Sequence, residues 1–408
     1  MENKDYWFSL ESHVYVEFKE KEILLYNTIN GKYIESSDME FISLISELYK
    51  PENLGVVLFS KEKQKKGQLY GLIEETLAKE MSSLMDVKKV AQKPIRLIPI
   101  LNLQRDVEKL GKNDERSIGE DVINYLLEVN IHINSTCEQQ CAHCYEYNKQ
   151  FSCCASNVIS SELPSDTIKS VLNQIKYSPV GRINILGGNI AKYNKLDQLV
   201  EILKPFEDAI HYYQHYLNYE NNDFFNSKKV EIIINFPINI PNLEKNLIGA
   251  NQDKTTFHFI IENKKQYDDV ENIISDLKIE NYNILPFYTK QNLNFFSENI
   301  FLEKEDILSN TVKLREIFRN KKLNSNFFGV LHILSDGDIK ANINANSLGN
   351  IKNDKILDIV YKEMIENTAW RKIRDCEPCN KCLYQFLCPA PSNYEKVMAK
   401  TNLCNINV

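Results

Sequence analysis

Several common features are missing from this 408-residue sequence, and each absence removes a class of protein. No apolar run approaches the roughly 20 residues that span a bilayer, and "MENKDYWFSLESH" lacks the basic and apolar regions of a secretion signal. The net charge of −7 does not predict the basic surface of a nucleic-acid-binding protein. The sequence contains no HExxH motif and no similar set of carboxylates and histidines, so it does not predict a zinc-dependent hydrolase. We therefore expect a cytoplasmic protein that partners neither a membrane nor a nucleic acid.

Cysteine, in contrast, is well represented, with ten residues. In a reducing compartment, cysteines in clusters are more typical of metal or iron-sulfur ligands than of disulfides. They fall into two groups along the chain. The first contains Cys137, Cys141, Cys144, Cys153 and Cys154, and the second contains Cys376, Cys379, Cys382, Cys388 and Cys404.

Residues 1–85 read as a small α+β domain. "HVYVEF" alternates apolar and polar residues, and Asn30-Gly31 is a hairpin signal, so two or three antiparallel strands are expected first. Cap-type residues at 36–38 precede a helix over "MEFISLISELYK", and "QLYGLIEETLAKEM" predicts a second helix. Residues 86–126 look like a bridging segment around one short strand, "IRLIPILNL".

Residues 127–334 alternate between strand-like and helix-like runs, which predicts a parallel sheet, open or barrel-shaped, with helices outside it. The helix-like runs include "LDQLVEILKPFEDAIHYYQHYL". The strand-like runs are "NIHIN", "INILGG", "KVEIIINF", "TFHFII", "YNILPF" and "FFGVLHIL". Residues 335–408 are short, polar and cysteine-rich, and we expect that a metal, not a large apolar core, holds this region together.

The first cysteine group is "CEQQCAHCY", in the loop after the first of these strands. Ligands lie at the carboxyl ends of strands in such folds. A cubane cluster has four irons, and Cys137, Cys141 and Cys144 would leave one iron open to a substrate or cofactor. Two other interpretations remain: a zinc site completed by His143 or His132, and cysteines that serve the core.

The motif resembles the radical SAM signature, in which three cysteines hold a 4Fe-4S cluster and S-adenosylmethionine chelates the open iron. The resemblance implies a partial TIM-type (β/α)6 barrel and cleavage of S-adenosylmethionine to a 5'-deoxyadenosyl radical. It places Cys137, Cys141 and Cys144 as ligands, with His143 and Tyr145 beside the cofactors. An electron donor such as a flavodoxin or ferredoxin is implied as a partner.

"INILGGN" resembles the Gly-Gly-Glu strand of the same family. Gly187 and Gly188 match it, but Asn189 stands where the family usually has glutamate. The ammonium of S-adenosylmethionine would lose a charged partner, at a cost of about 1.5 to 3 kcal/mol in binding. Without the resemblance, the glycine pair predicts only a tight turn after a strand.

The second cysteine group resembles the SPASM domain of radical SAM peptide maturases. Cys379, Cys382, Cys388 and Cys404 would then hold one auxiliary 4Fe-4S cluster, whereas tetrahedral zinc is the alternative. The family's other auxiliary cluster is expected to be absent, because Asn342 and Ser392 occupy the positions of two of its cysteines.

"LCPAPSNYE" and "NLCNI" resemble the C-termini of SPASM proteins found with short peptide precursors in Bacteroidetes, including pseudo-radical-SAM partners. The implied function is modification of a ribosomally made precursor peptide by a crosslink or thioether, with its leader bound at the N-terminal domain by strand addition. The alternative is a degenerate protein that binds the peptide or a partner maturase. Neither a catalytic acid or base nor a role for Cys153, Cys154 or Cys376 can be assigned from the sequence.

Overall fold

The computed structural model describes residues 4–65, 67–98, 121–154, 161–219, 225, 227–247 and 251–406. Its largest sheet has nine strands in the order β12-β11-β10-β9-β8-β7-β13-β14-β15, and two smaller sheets, β5-β1-β6 and β2-β3-β4, precede it. The strands are β1 Tyr6–Leu10, β2 Val14–Lys19, β3 Glu22–Asn27, β4 Tyr33–Ser36, β5 Val57–Phe59, β6 Ser82–Asp86, β7 Glu128–His132, β8 Arg182–Leu186, β9 Ile210–His215, β10 Lys229–Asn235, β11 Thr255–Ile261, β12 Tyr282–Pro286, β13 Val330–Ile333, β14 Asp338–Lys340 and β15 Gly349–Asn350.

The helices of the described residues lie mainly between consecutive strands. They are α1 Met39–Leu48, α2 Lys61–Gln64, α3 Gly67–Ala78, α4 Cys144–Tyr147, α5 Ser165–Ile175, α6 Leu196–Leu203, α7 Ile240–Leu247, α8 Lys264–Leu277, α9 Leu293–Asn299, α10 Lys304–Ser309, α11 Leu314–Asn320, α12 Ile356–Glu366 and α13 Asn393–Met398. Local chemistry explains several boundaries: Asp38 caps α1 by accepting from the Phe41 amide, and Asn263 caps α8 in the same way from Gln266.

Strands β7 to β12 are parallel and follow one another in chain order, and β13 adds in parallel to the free side of β7. The two faces of the sheet differ because side chains alternate along each strand. Val230, Ile232 and Ile234 of β10 pack into the main core against the helices, whereas Glu231 and Ile233 lie on the inner face. The chain is therefore a mixed α/β protein with a large parallel sheet.

The helix expected over residues 196–217 is wrong for its latter half. Helix α6 ends at Leu203, a 3-10 turn spans Lys204–Ala209, and Ile210–His215 form strand β9. Pro205 cannot continue an α-helix, and the aromatic residues that follow pack between two sheet neighbours, where aromatic residues are favoured. Burial between β8 and β10 thus overrides the helical periodicity of the segment.

The N-terminal expectation is correct for the hairpin strands and both helices, but strands do not all come first: β5 and β6 follow helices and pair with β1. The loop at Asn30-Gly31 spans residues 28–32, so it is longer than a two-residue turn. Residues 95–98 of the expected strand "IRLIPILNL" are not in a strand, and the rest of it lies outside the described residues.

The C-terminal region is better packed than the sequence predicts. Helix α12 and Trp370 belong to the main core, and β14 and β15 extend the main sheet. Farther along the chain, Cys382, Tyr384 and Leu387 pack against Tyr26 and neighbouring residues of the N-terminal hairpin sheet. No helix among the described residues is long and apolar enough to cross a bilayer.

Candidate functional site

The first cysteine group follows β7, and the glycine pair follows the neighbouring strand β8, so both lie at the carboxyl edge of the sheet. Gly187 and Gly188 have φ of +113° and +43°. A β-carbon on Gly187 would lie 2.2 Å from the carbonyl oxygen of Asn134, and one on Gly188 would lie 2.0 Å from that of Thr136. Only glycine permits this approach of the two loops.

Asn189 fastens the same two loops. Its amide donates to the carbonyl of Thr136 at 2.6 Å, and its carbonyl accepts from the side chain of Asn134 at 3.1 Å. Its side-chain oxygen caps a short 3-10 turn by accepting from the Ala191 amide at 3.0 Å. The side chain therefore already serves its own loop, and it carries no negative charge.

The three thiols of the motif are partly buried in this loop. Cys137 accepts a hydrogen bond from the Asn218 side chain at 3.3 Å, and Asn218 in turn accepts from Gln139 at 2.7 Å. Burial, followed by the charge of Cys153, raises the pKa of Cys141 to about 11 and that of Cys144 to about 12. These thiols are poor nucleophiles at neutral pH, and a bound metal would supply the positive charge that favours the thiolate.

An apolar cluster fills the mouth of the sheet beside these thiols. Cys153 and Cys154 are 1% and 6% exposed, and they pack there together with Cys141 and Cys144. The other members come from the carboxyl ends of the strands and from α4 and the segments that follow: Tyr147, Phe151, Leu186, Tyr213, Ile233, Ile260 and Phe287. The sequence shows that Cys153 and Cys154 are near the motif, but it does not show that they are buried in this cluster.

His143 and Tyr145 lie on the rim of the mouth. The His143 ring is 5.1 Å from the Phe287 ring, and its Nε2 is 4.0 Å from a carboxylate oxygen of Glu262. Tyr145 is 53% exposed. Both side chains could contact a bound cofactor, but neither is fixed by the other residues predicted for the site.

The second cysteine group converges on one small cavity. Cys379, Cys382, Cys388 and Cys404 line a space of about 20 Å³ between the C-terminal loops and Leu302. The Cys382 sulfur accepts from the Tyr384 amide at 3.4 Å, and the Cys404 sulfur accepts from the Asn402 side chain at 3.3 Å. Such hydrogen bonds to sulfur tune the potential of a cluster.

Arg374 is a residue of this second site that sequence reasoning missed. Its guanidinium is buried, pairs with Glu395 at 2.7 Å and donates to the carbonyl of Pro389 at 2.5 Å. Burial raises the pKa of Cys388 to about 12 in spite of the opposing charge of Arg374. In the sequence, the only indication that Arg374 belongs to this site was its position just before the cysteines. Cys376 is exposed and does not line the cavity.

Asparagine side chains surround Asn342, one of the two positions where the SPASM family has cysteines for its other auxiliary cluster. Asn342 donates to the side-chain oxygen of Asn393 at 2.8 Å, and Asn344 donates to the same oxygen at 3.1 Å. Asn344 also donates to the carbonyl of Lys149 at 2.7 Å, which joins the C-terminal region to the segment after α4. Ser392 caps α13 through a capping box with Glu395.

A charged cluster around the buried Glu231 lies on the inner face toward the amino ends of the strands. Glu231 accepts from Arg182, His211 and His258, each at 2.7 Å. Burial alone would raise the pKa of Glu231, but the hydrogen bonds from the two histidines and the charge of Arg182 lower it far below its usual range. In the sequence, the indication of this cluster was a charged residue, Glu231, within the apolar run "KVEIIINF".

In the part of the chain that the structure describes, no three His, Cys, Asp or Glu side chains are arranged to hold a metal ion. In a cubane cluster, each cysteine ligates a different iron. The thiolates of a cluster therefore lie farther apart than the thiolates that bind a single metal ion. The donor chemistry of both groups fits such a cluster. Four thiols are also the ligand set of a tetrahedral zinc site.

The fold and these sites define an α/β protein with a three-cysteine loop at the carboxyl edge of a parallel sheet and a four-cysteine cavity near the C-terminus. No family model and no curated protein matches the sequence. Among solved structures, the chain is similar to Streptococcus suis SuiB. The SuiB structure with S-adenosylmethionine bound has 13% identity and a TM-score of 0.43, and the one with the precursor peptide SuiA has 13% and 0.47.

In each comparison, 98% of this chain and 99% of SuiB are covered. The protein anSMEcpe, solved with bound AdoMet, is 13% identical over 68% of this chain and 92% of its own, with a TM-score of 0.42.

Proposed function

We propose that this chain is a radical SAM enzyme that modifies a ribosomally made precursor peptide. The observation that carries the proposal is the close approach of two loops, in which Asn134 and Thr136, just before the three cysteines, lie against Gly187 and Gly188 at the carboxyl edge of the parallel sheet. Cys137, Cys141 and Cys144 would hold a 4Fe-4S cluster there. The strands β7 to β12, in chain order, would form the partial (β/α)6 barrel.

S-adenosylmethionine, when bound to the open iron, would supply one-electron chemistry to a peptide side chain or α-carbon. The chain's own contribution at this edge is positional. Asn218 orients the Cys137 sulfur, while the apolar cluster around Cys141 and Cys144 keeps water from their side of the loop. A dry environment strengthens the electrostatic interactions of bound charged groups.

The C-terminal segment is proposed as a SPASM-like domain with one auxiliary 4Fe-4S cluster on Cys379, Cys382, Cys388 and Cys404. Their convergence on one cavity supports a shared ligand, and Arg374 supports an anionic one because its guanidinium lies beside the thiols. Two thiols already accept hydrogen bonds from nitrogen, as cluster ligands commonly do. Such a cluster would accept an electron from the modified peptide.

The N-terminal residues 1–85 are proposed to bind the leader of the precursor. Within the described residues, β4 pairs with β3 on one side only, so an extended peptide could add beside it. A groove of about 980 Å³ is lined by Glu35 and Ser36 of this strand and by Cys382 of the second cysteine group. It therefore adjoins both the candidate leader site and that group. Residues 86–126 would bridge to the core at 127–334.

A second candidate function is a cluster-bearing protein that recruits the peptide for a partner maturase. Asn189 favours this candidate because its side chain is used as a cap and carries no charge to attract the ammonium of S-adenosylmethionine. The three cysteines of the motif oppose it, since recruitment of a peptide does not itself require a cluster with an open iron.

The test is reductive cleavage of S-adenosylmethionine after anaerobic reconstitution with iron and sulfide. A chromatographic assay for 5'-deoxyadenosine compares the wild-type protein with the combined variant Cys137→Ala, Cys141→Ala, Cys144→Ala. Cys376→Ala is the matched control, because that thiol is exposed and lies outside both sites. The enzyme proposal requires 5'-deoxyadenosine from the wild type and the control only. A wild type that binds a cluster but forms no product supports the recruiting protein.

A further inference from the structure

A polar cavity of about 210 Å³ lies at the inner face of the parallel sheet, and the proposed function does not use it. Its polar lining includes Glu128, Asn130, Asn326, His332, Asn342 and Asn393. Glu128 and Asn130 alternate along β7 with Val129, which packs into the main core, so both lie on the inner face. Asn326 is exposed and Asn130 is 1% exposed, so the cavity adjoins both solvent and the interior. This volume holds several water molecules or one amino-acid side chain.

The cavity adjoins the site of the three cysteines. Phe151 and Leu186 line the cavity, and both pack in the apolar cluster that contains Cys141 and Cys144. A side chain bound in the cavity would therefore lie beside the edge of the sheet at which the proposed radical chemistry begins.

Hydrogen bonds fix which end of the Asn130 amide is available to the cavity. The Asn184 oxygen accepts from the Arg182 Nε at 2.9 Å, so the Asn184 nitrogen is the end that donates. It donates to Glu128 at 2.8 Å and to the Asn130 oxygen at 2.7 Å. Because arginine can only donate and a carboxylate can only accept, neither amide can be turned over without loss of these bonds. The Asn130 oxygen is therefore occupied, and its nitrogen is a donor left for the cavity that it lines.

The amides of Asn393 and Asn326 are fixed in the same way. The Asn393 oxygen accepts from the side-chain nitrogens of Asn342 and Asn344, at 2.8 and 3.1 Å. The Asn342 oxygen in turn accepts from the backbone amide of Asn344 at 2.8 Å. The Asn393 nitrogen is thus a second donor left for the cavity. Asn326 has the opposite orientation: its nitrogen donates to the carbonyl of Ala390 at 3.0 Å, which leaves its oxygen as an acceptor.

We propose that this cavity binds a primary carboxamide side chain, that of asparagine or glutamine, from the precursor peptide. The inference rests on the proposed function, which supplies the peptide nature of the ligand. The oxygen of a carboxamide accepts two hydrogen bonds, which matches the nitrogens of Asn130 and Asn393. Its nitrogen donates two, which matches the Asn326 oxygen and the Glu128 oxygen that Asn184 does not use.

Charged and apolar side chains fit this lining less well. An ammonium group offers donors alone and would meet the nitrogens of Asn130 and Asn393, whereas a carboxylate offers acceptors alone and would meet Glu128. Burial, followed by the charge of His132, lowers the pKa of His332 to about 3, so the neutral ring adds no charge to the lining. An aliphatic side chain would leave the polar groups of the lining without partners, which is unfavourable.

The test compares five terminally blocked tripeptides that have asparagine, glutamine, glutamate, lysine or leucine between two alanines. Ligand-observed NMR titration measures their binding to the full chain, reconstituted anaerobically with iron and sulfide. We expect the two carboxamide peptides to bind about tenfold or more tightly than the other three, because a polar group left unpaired typically lowers affinity by about that factor. Equal binding of all five peptides, or no binding of any at up to about 10 mM, would overturn the proposal.

Asn393→Asp tests whether the preference arises in this cavity. The new carboxylate keeps an oxygen for Asn342 and Asn344, and it replaces the donor toward the cavity by a charged acceptor. Asn393 is the first residue of α13, where an acidic side chain is favourable, so the variant should fold. The preference for carboxamide over lysine should fall about tenfold or more, and an unchanged preference would overturn the proposal. Asn242→Asp, exposed in the first turn of α7, is the matched control and should keep the wild-type preference.

This inference and the proposed function fail separately, because binding of the tripeptides requires no S-adenosylmethionine. A wild type that forms 5'-deoxyadenosine but binds all five peptides equally would refute only the carboxamide site. Selective binding of the carboxamide peptides without 5'-deoxyadenosine would support the site and refute only the enzyme proposal.

Discussion

The carbonyl oxygen of Thr136 lies 2.0 Å from the point that a β-carbon on Gly188 would occupy. This contact joins the loop of the first cysteine group to the turn after β8. It places the two motifs of the sequence side by side, because only glycine leaves room for this approach of the loops.

We expect Gly188→Ala to displace the cysteine loop. The overlap is with backbone, which cannot swing away, and φ is +43°, where a side chain adds strain. The expected cost is about 2 kcal/mol or more in the free energy of unfolding, with reduced iron incorporation. Thermal unfolding and iron analysis measure both.

Gly181→Ala is the matched control, because no atom lies within 4 Å of its β-carbon position. It should differ from the wild type by no more than about 0.5 kcal/mol. Equal behaviour of the two variants would show that the contact at Gly188 is not needed for the site.

Glu231→Gln should destabilise the protein by about 1.5 to 3 kcal/mol, since hydrogen bonds from charged or polar partners to a buried carboxylate are lost. The low pKa of Glu231 in the folded state means that its ionised form stabilises the fold at pH above the ordinary value of about 4.3. This contribution is lost as the pH falls toward the folded-state pKa.

The stability difference between wild type and Glu231→Gln should therefore narrow as the pH falls below about 4.3. Urea unfolding at a series of pH values measures it. Glu280→Gln, at an exposed position, serves as the control, and its free energy of unfolding should stay close to that of the wild type at every pH. A difference that does not narrow below about pH 4.3 would contradict the account of this cluster.

Cys388→Ala should remove the auxiliary metal without removing the first cluster. Cys388 lines the four-thiol cavity, and no neighbouring thiol replaces it, since Cys376 is exposed outside that cavity. If both groups hold 4Fe-4S clusters, the variant loses about half of the bound iron, and Cys376→Ala loses none. Elemental analysis for iron and zinc decides the matter, because loss of zinc with unchanged iron would identify a zinc site.

Asn189→Glu should strengthen the binding of S-adenosylmethionine about tenfold, because a carboxylate at this position can pair with the ammonium of the cofactor. The cap on the turn at Ile190–Lys192 would weaken at the same time. Asn189→Gln lengthens the side chain by the same methylene group without adding charge, so it separates the two effects. Equal affinity for the Glu and Gln variants would mean that charge at this position does not limit binding.

The sequence predicted the strands of the sheet well where apolar residues alternate or run between turn residues, as in β10. It failed at Ile210–His215, where helical spacing competes with burial between two strands. The positions of the cysteine loop and the glycine turn followed from strand order alone. Burial of Cys153 and the contacts of Arg374 did not, because both depend on segments that are distant in sequence.

The most direct test of the central claim is the EPR spectrum of the dithionite-reduced protein before and after saturating S-adenosylmethionine. The comparison includes the variant that lacks Cys137, Cys141 and Cys144. The account predicts that the cofactor changes the spectrum of the wild type, and that the triple variant retains only a cluster signal that the cofactor leaves unchanged. Identical spectra with and without the cofactor in the wild type, at saturation, would contradict the claim that this edge of the sheet binds S-adenosylmethionine on an iron-sulfur cluster.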